Sequence, residues 1–324
     1  MDENYLVEEV SACGESVKEP LVSELRKKKK SKLQKAREGK VFKWVNGALM
    51  ALFALFCLYP FVNVVLTSFA SFGDYVNSNG LVIPYHFTFG AYSYMFSIGR
   101  IPKGFLITFC VSFIGAIVNV VMVSLAAYPL TKSDLPGKKI ISFFIVFTMF
   151  FGGGLIPQYL IIRGLGFVNK NFSSLFGLVL PFCLNAFNII ILRNFFRTVP
   201  ESVIESAEID GAGEFRILFQ FVMPLAMSGI VTIALFSVVG YWNDWFWPML
   251  IVRNTEYYTL ALVLRELLAQ PVQPGVGSPP QDSQLLTEAS EAAAIVISIL
   301  PLIIIYPFVQ KHFVKGVMIG SLKG

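Results

Sequence analysis

Long apolar runs separated by short charged segments dominate the pattern of this chain. Between successive charged residues lie six uncharged runs of about 19 to 30 residues, at 44–73, 104–131, 140–162, 171–192, 217–243 and 292–310. An α-helix rises about 1.5 Å per residue, so each run is long enough to cross a hydrocarbon layer about 30 Å thick. The pattern therefore predicts six transmembrane helices.

Two further segments favour irregular structure. The uncharged run at 75–99 contains polar and turn-forming residues, namely Asn77, Ser78, Asn79, Gly80, Pro84 and His86. Such residues favour turns over a continuous helix, so we predict an outer loop between the first two spans. A Pro/Gly-rich stretch at 270–280 predicts a second irregular loop, between the fifth and sixth spans.

Composition supports an all-α, multi-pass membrane protein. The chain has 324 residues, of which 55% are hydrophobic and 15% are charged. About a quarter of the residues in a typical soluble domain are charged. Cys57, Cys110 and Cys183 lie inside apolar runs, where cysteine behaves as a small hydrophobe, so no disulfide framework is expected.

The distribution of Lys and Arg indicates the orientation in the membrane. The segments on the side of both termini carry 20 basic residues and those on the other side carry 6; without the N-terminal tail the comparison is 9 against 6. Basic residues near membrane spans favour the cytoplasmic side. We therefore predict a protein of the cell inner membrane with both termini in the cytoplasm.

The net charge of +5 comes mainly from a basic tract at 26–30 and its neighbours up to Lys43. Nucleic-acid binding is one interpretation of such a tract. Its position just before the first span instead favours a topology signal that also contacts anionic lipid head groups. Residues 1–25 are polar and acidic, a composition typical of disordered segments. Together with the basic tract they form the predicted disordered basic tail at 1–40. Because the tract fits a topology signal, we predict no nucleic-acid partner.

The loop at 193–227, between the fourth and fifth spans, is long and acidic. Thr198 followed by Glu201 has the spacing of a capping box, and Pro200 is tolerated in the first turn of a helix. Gly211 can adopt the left-handed conformation that ends many helices. We therefore predict a first short helix from 199 to about 210.

A second short helix is predicted from 215 to 223, with Pro224 at its bend into the fifth span. The first helix has a narrow apolar face formed by Val203, Ile204 and Ala207. Either a partner protein or the lipid interface would have to cover this face. The residue pattern leaves both possibilities open.

The same loop resembles the EAA loop of type I ABC importer permeases. Glu205, Ala207, Gly211 and Pro224 match the family pattern at its spacing, as does the Asp-Gly-Ala sequence at 210–212, whereas Ser206 and Met223 depart from it. The resemblance implies a maltose-permease-like fold and a helix that couples the permease to an ATPase. The implied coupling residues are Glu205, Ser206, Ala207, Asp210, Gly211, Ala212, Gly213 and Pro224.

Other segments are similar to permeases of the carbohydrate-uptake family. These are the segment 151–157 in the third span, the segment 241–246 in the fifth span, and the closing segment 306–316. The last resembles permeases that import oligosaccharides from polysaccharide breakdown, with alginate oligosaccharides as one candidate. The resemblance implies import of such a sugar by alternating access.

The resemblance also implies an assembly. It contains a second, similar permease subunit, two ATP-binding subunits and an extracytoplasmic solute-binding protein. The sequence has no G-x-x-x-x-G-K-[ST] phosphate loop. Because the two histidines, His86 and His312, form no metal or catalytic pattern, we expect a transport subunit that is not an enzyme and has no cofactor or metal.

The fifth span ends in a candidate substrate pathway formed by Tyr241, Trp242, Asn243, Asp244 and Trp245. The aromatic rings are of the kind that stack on sugar rings, but Trp and Tyr also anchor helices at membrane interfaces. An acid in a span is a functional candidate, yet Asp244 also fits a hydrated interfacial carboxylate. Both interpretations stay open.

Three glycines at 152–154, in the third span, favour close approach of helices. We accordingly divide the chain into the tail at 1–40, the first helix and outer loop at 41–103, a transport core at 104–310 and a C-terminal tail at 311–324. The predicted function is that of an oligosaccharide importer's permease. A permease for a non-sugar solute and a stand-alone secondary transporter are the alternatives.

Overall fold

The computed structural model describes residues 15–71, 83–97, 99–269 and 287–321. In these residues the chain is helical and forms no strand, apart from a single parallel bridge between Asn169 and Val252. The longer helices are, in chain order, α1 (Glu15–Ser68), α2 (Gly90–Ser97), α3 (Arg100–Ala127), α4 (Lys138–Phe150), α5 (Leu155–Gly164), α6 (Ala186–Phe196), α7 (Glu201–Ile209), α8 (Met227–Asn243), α9 (Phe246–Ile251), α10 (Leu260–Ala269) and α11 (Thr287–Ser321).

By length and composition, these helices provide up to six membrane spans. Three are continuous, at Phe42–Ser68, Arg100–Thr131 and Ala289–Pro307. The other three are bent pairs, of which the first two are α4 with α5, bent by 108°, and the segment Phe172–Phe182 with α6, bent by 57°. The third joins Glu214–Leu225 to α8 with a bend of 88°. Counting each bent pair as one span gives the predicted six.

Glycines cause the break in the third span. Gly153 has a φ of +71° and Gly154 a φ of +90°, a backbone region that residues with a Cβ avoid. A Cβ added to Gly152 or Gly153 would meet nothing within 4 Å. Our expectation that these glycines let helices approach closely is therefore wrong within this chain; they turn the backbone between α4 and α5.

A polar cluster holds the break in the fourth span. Asn185 precedes α6, and its Oδ1 accepts hydrogen bonds from the backbone N–H groups of Phe187 (2.9 Å) and Asn188 (3.3 Å). The carbonyl of Cys183, which the break frees, accepts a hydrogen bond of 3.0 Å from Asn119 Nδ2 on α3. Polar side chains of the protein thus satisfy these three backbone groups, as the membrane interior demands.

Helix α3 forms the centre of the packed part and contacts α6, α8 and α10. Its small residues allow this: a Cβ added to Gly115 would lie 2.6 Å from the ring of Tyr241 on α8. The core around it contains the fully buried Val123, Leu192 and Ile233. Close packing through small residues is the usual means by which membrane helices associate.

Helices also occur where we predicted loops or tails. Helix α1 begins at Glu15, within the segment 1–40 for which we predict a disordered tail, and residues 1–14 lie outside the described part. Helix α2 lies in the predicted loop at 75–99, and α10 follows the fifth span. The predicted irregular stretch at 270–280 lies outside the described residues. The part of α1 up to Asn63 forms one compact unit, and the chain from Val64 onwards forms another.

Candidate functional site

The loop at 193–227 contains the short helix that we predicted, with sharply defined ends. Helix α7 is preceded by Pro200 and followed by Asp210. Gly211 has a φ of +79°, and its N–H donates to the carbonyl of Glu208 (3.0 Å), while the N–H of Ala212 donates to Ala207 (2.9 Å). This pair of bonds is the Schellman motif, in which a left-handed glycine ends the helix.

The start of α7 differs from the prediction. The hydroxyl of Thr198 donates a hydrogen bond of 2.7 Å to the carbonyl of Phe195 in the preceding helix α6. The capping box with Glu201 is therefore wrong, because Thr198 belongs to the end of α6. Helix α7 begins three residues later, at Glu201, after Pro200 has set an extended backbone with a ψ of 132°.

The predicted coupling residues divide into an outward and an inward set. Ala207 is buried in the core beside the partly buried Ile204 and Ala212. The remainder are exposed, namely Glu205, Ser206, Asp210, Gly211, Gly213 and Pro224. The sequence analysis missed two large apolar side chains beside them, Ile209 at 86% exposure and Phe215 at 71%. Ile209 follows Glu205 by four residues and shares its face of the helix, which could have signalled it.

Charged contacts tie the loop to the end of α3. Lys132 Nζ forms a salt bridge with Glu214 and lies 3.7 Å from Glu208 Oε1. Tyr128, which is buried, donates a hydrogen bond of 2.9 Å to Glu214 Oε2. Both ends of the Gly211 turn are thereby held against the second span. The sequence pattern does not predict this contact of Lys132, because it joins segments that are far apart in the chain.

The loop enters the fifth span through an irregular segment. Residues Leu218–Val222 form a π-helical turn, and the chain bends by 88° before α8 begins at Met227. A Cβ added to Gly229 would lie 2.6 Å from the ring of Phe195 on α6, so this start of α8 is packed tightly. The predicted bend beside Pro224 is present, whereas the π-helical turn was not predicted.

A cavity of about 530 Å³ lies at the other end of α8. The 17 residues of α8 separate it from the loop by about 25 Å at the rise of an α-helix. Helices α8, α10 and α11 supply most of its lining: Trp242, Asn243, Trp245, Leu260, Ala261, Leu264, Arg265, Leu268, Ala269, Ala294, Ile295 and Ser298.

Of the predicted substrate residues, Trp242 lines this cavity from a buried position. Its side chain is 4% exposed, and its Nε1–H donates a hydrogen bond of 2.9 Å to the carbonyl of Ser298. The ring of Phe105 meets it edge to face, with centroids 5.5 Å apart. These contacts join α3, α8 and α11 through the indole. Because the side chain is buried, its ring faces are not accessible for stacking on a sugar.

Tyr241 and Asp244 are not among the residues that line the cavity. The ring of Tyr241 packs on Gly115, and its hydroxyl lies 3.5 Å from the carbonyl of Val179. Asp244 Oδ1 accepts hydrogen bonds from the backbone N–H groups of Phe246 (3.0 Å) and Trp247 (3.2 Å). It therefore caps helix α9, which is a structural task common for Asp before a helix.

Trp245 is the aromatic side chain of this group that is open, at 38% exposure. The guanidinium carbon of Arg265 on α10 lies 4.0 Å from the centre of its ring. Asn243, also exposed, lines the same cavity. The structure thus brings Asn243, Trp245 and Arg265 together. Arg265 was not predicted, because it lies on a different helix from the other two residues.

Several known proteins are similar to this chain. Residues 108–319 match the family model described as "Binding-protein-dependent transport system inner membrane component". The chain is 38% identical to the polygalacturonan/rhamnogalacturonan transport system permease protein YtcP of Bacillus subtilis, over 82% of this chain and 92% of that protein. It is 27% identical to the diacetylchitobiose uptake system permease protein NgcG of Streptomyces coelicolor, over 87% of this chain and 89% of that protein.

A solved structure is also similar. It is the crystal structure of a bacterial ABC transporter involved in the import of the acidic polysaccharide alginate. One of its chains superposes with a TM-score of 0.77 and 31% sequence identity, over 86% of this chain and 98% of that chain.

Proposed function

Because this chain belongs to the family of binding-protein-dependent transport system inner membrane components, we propose that it passes an oligosaccharide through the membrane for an ATP-driven importer. Members of the family are permease subunits of ABC transporters. The chain is accordingly a multi-pass membrane subunit and not itself an enzyme, and ATP hydrolysis resides in a separate subunit.

One structural observation carries the proposal: α8 connects the exposed loop to the cavity. The chain runs from the Gly211 turn through the bent segment Glu214–Leu225 into α8, and Asn243 and Trp245 line the cavity at the far end of that helix. A rigid helix that joins a protein contact to a cavity is the element that alternating access requires. Movement of the loop thereby changes access to the cavity.

The names of the similar proteins support a sugar as the substrate. Two are named for transport of polygalacturonan/rhamnogalacturonan and of diacetylchitobiose, and the similar structure is described as importing alginate. Oligosaccharides released from such polysaccharides, alginate-derived ones among them, are therefore the proposed class of substrate. A non-sugar solute is the less supported alternative.

The proposed assembly contains a second permease, two ATP-binding subunits and a solute-binding protein, in a membrane with both termini of this chain in the cytoplasm. In this orientation the loop faces the ATPase. Ile209 and Phe215 supply apolar contacts, while Glu205 and Asp210 supply charge. Large exposed apolar side chains that lie close together are more typical of a protein interface than of a water-facing loop.

Reconstitution with all partners tests the coupling role of the loop. Gly211→Val places a β-branched residue at a φ of +79°, at a cost of about 1–2 kcal/mol, and Glu205→Arg reverses an exposed charge. We expect both variants to insert normally and to lose the stimulation of ATP hydrolysis by the sugar-loaded binding protein, together with uptake.

Lys139→Glu is the matched control, because it reverses an exposed charge at the start of α4 and lies outside α7. It should retain stimulation. Normal stimulation of ATP hydrolysis in Gly211→Val and Glu205→Arg would indicate that the loop is only a helix at the lipid interface. Purification as a monomer with ion-coupled uptake would instead favour the secondary transporter.

A further inference from the structure

Arg265 is held in a defined position at the cavity. Its guanidinium lies on the ring of Trp245 at 4.0 Å, and its Nη1 contacts Met249 Sδ at 2.9 Å. The side chain is nevertheless exposed. Stacking on an aromatic ring engages the face of the guanidinium and leaves its N–H edge free to bind another group.

The charge of Arg265 has no carboxylate partner among the described residues. The acid next to it, Glu266, is already engaged by Arg100, with Nη2 and Oε2 2.7 Å apart. Lys103 on the same side of the molecule is likewise paired, with Glu256 at 3.4 Å. Helix α10 therefore presents one paired acid and one stacked arginine whose N–H edge is available.

The surroundings of Arg265 are those of a ligand site. The cavity of about 530 Å³ falls in the usual range for small-molecule sites, roughly 300–1,000 Å³. Its lining is mostly apolar, from residues such as Leu264 and Ile295, with polar groups contributed by Asn243, Ser298 and Arg265 itself. A few polar groups in an apolar lining fix the orientation of a ligand.

We propose that this cavity takes an acidic oligosaccharide and that Arg265 binds a carboxylate of one of its uronic-acid units. The inference rests on the proposed function and adds the class of sugar and the residue that recognises it. Trp245 orients the guanidinium, whose planar fork matches a carboxylate with two parallel hydrogen bonds. Asn243 Nδ2 already donates to the carbonyl of Val239 (3.0 Å), so its Oδ1 accepts a hydrogen bond from a hydroxyl group of the same sugar.

The test uses the complete transporter in proteoliposomes, with its binding protein and with alginate trisaccharide or trigalacturonate as the probe. Sugar uptake and ATP hydrolysis are measured together. We expect Arg265→Gln to lower uptake of the acidic trisaccharide about tenfold, since a charge-assisted hydrogen bond is lost, while stimulation of ATP hydrolysis by the loaded binding protein is retained. Arg265→Lys keeps the positive charge but loses the planar guanidinium. Its uptake of the acidic trisaccharide should therefore lie between that of Arg265→Gln and that of the native chain.

Arg163→Gln is the matched control, because it removes an exposed arginine that does not line the cavity. Equal loss of uptake in Arg163→Gln and Arg265→Gln would overturn the inference, as would unchanged uptake in Arg265→Gln. A parallel fall of uptake and of ATP hydrolysis would also overturn it, because Arg265 would then act in assembly.

The outcomes for the native transporter separate this inference from the proposed function. Uptake of neutral oligosaccharides but of neither acidic trisaccharide would overturn the acidic class and leave oligosaccharide import standing. Failure to take up any oligosaccharide, acidic or neutral, would overturn the proposed function itself.

Discussion

Trp242 and Trp245 lie three residues apart and have different environments. Trp242 is buried and hydrogen-bonded to Ser298, whereas Trp245 is partly exposed and carries Arg265 on its ring. The difference arises because α8 ends at Asn243, and the side chain of Asp244 then caps the next helix, α9. The backbone thus changes direction between the two indoles.

The two tryptophans should therefore respond differently to truncation. Trp242→Ala removes a packed ring and a hydrogen bond, so we expect a loss of about 3–5 kcal/mol in stability. Trp245→Ala should leave thermal unfolding of the purified complex nearly unchanged and lower sugar uptake several-fold. Thermal unfolding in detergent and uptake in proteoliposomes measure the two effects. Equal thermal stability of both variants would contradict this assignment.

At this scale the sequence predicts which residues lie near the cavity and not which of them face it. The aromatic group at 241–245 was found from its composition. Which of these side chains pack against other helices and which stay exposed depends on contacts with Gly115 and Ser298, which are far away in the sequence. Arg265 could not be selected from the pattern, because its contact with Trp245 depends on how α10 folds back onto α8.

At the scale of elements, charge-free runs located the spans but not their interruptions. A run of apolar residues gives the same signal whether the helix is straight or bent, because burial in lipid requires only apolar side chains. The break between α4 and α5 depends on the backbone angles of Gly153 and Gly154, and that before α6 depends on Asn185. The fold of α7 was predictable because Gly211 gives a local stop signal.

The glycine break yields a stability prediction. Gly154 has a φ of +90° and a ψ of 162°, a region that is essentially restricted to glycine, so Gly154→Ala should cost about 1–3 kcal/mol. Gly152→Ala is the control, since its φ is not positive and an added Cβ meets nothing within 4 Å. We expect a lower midpoint of thermal unfolding for Gly154→Ala alone. Indistinguishable midpoints would mean that the break does not depend on glycine.

At the scale of the whole molecule, a buried polar cluster joins three spans. Asn119 on α3 donates to the Cys183 carbonyl and accepts a hydrogen bond from Asn188 on α6 (3.3 Å). Its Oδ1 also lies 2.9 Å from the hydroxyl of Ser237 on α8, which shares its proton with the Ile233 carbonyl at 2.8 Å. All three of these polar side chains are buried. Buried polar groups of this kind specify one arrangement of helices because every alternative leaves them unsatisfied.

Replacing Asn119 tests this role. Asn119→Leu leaves the Cys183 carbonyl and the Asn188 amide without this partner, so we expect a loss of about 1–3 kcal/mol for each unsatisfied group. Ser112→Ala on the same helix is the control, because the buried Ser112 Oγ has no hydrogen-bond partner among the described residues. Thermal unfolding of the purified complex is the measurement. A similar midpoint for both variants would show that the cluster is energetically neutral.

The double attachment of the α7 loop has a mechanical consequence. Lys132 fastens the loop to α3 through Glu208 and Glu214, while the chain itself continues into α8. A displacement of the loop at Ile209 is therefore transmitted to α3 as well as to α8. We therefore expect α3 and α8 to move as a pair when a partner displaces the loop.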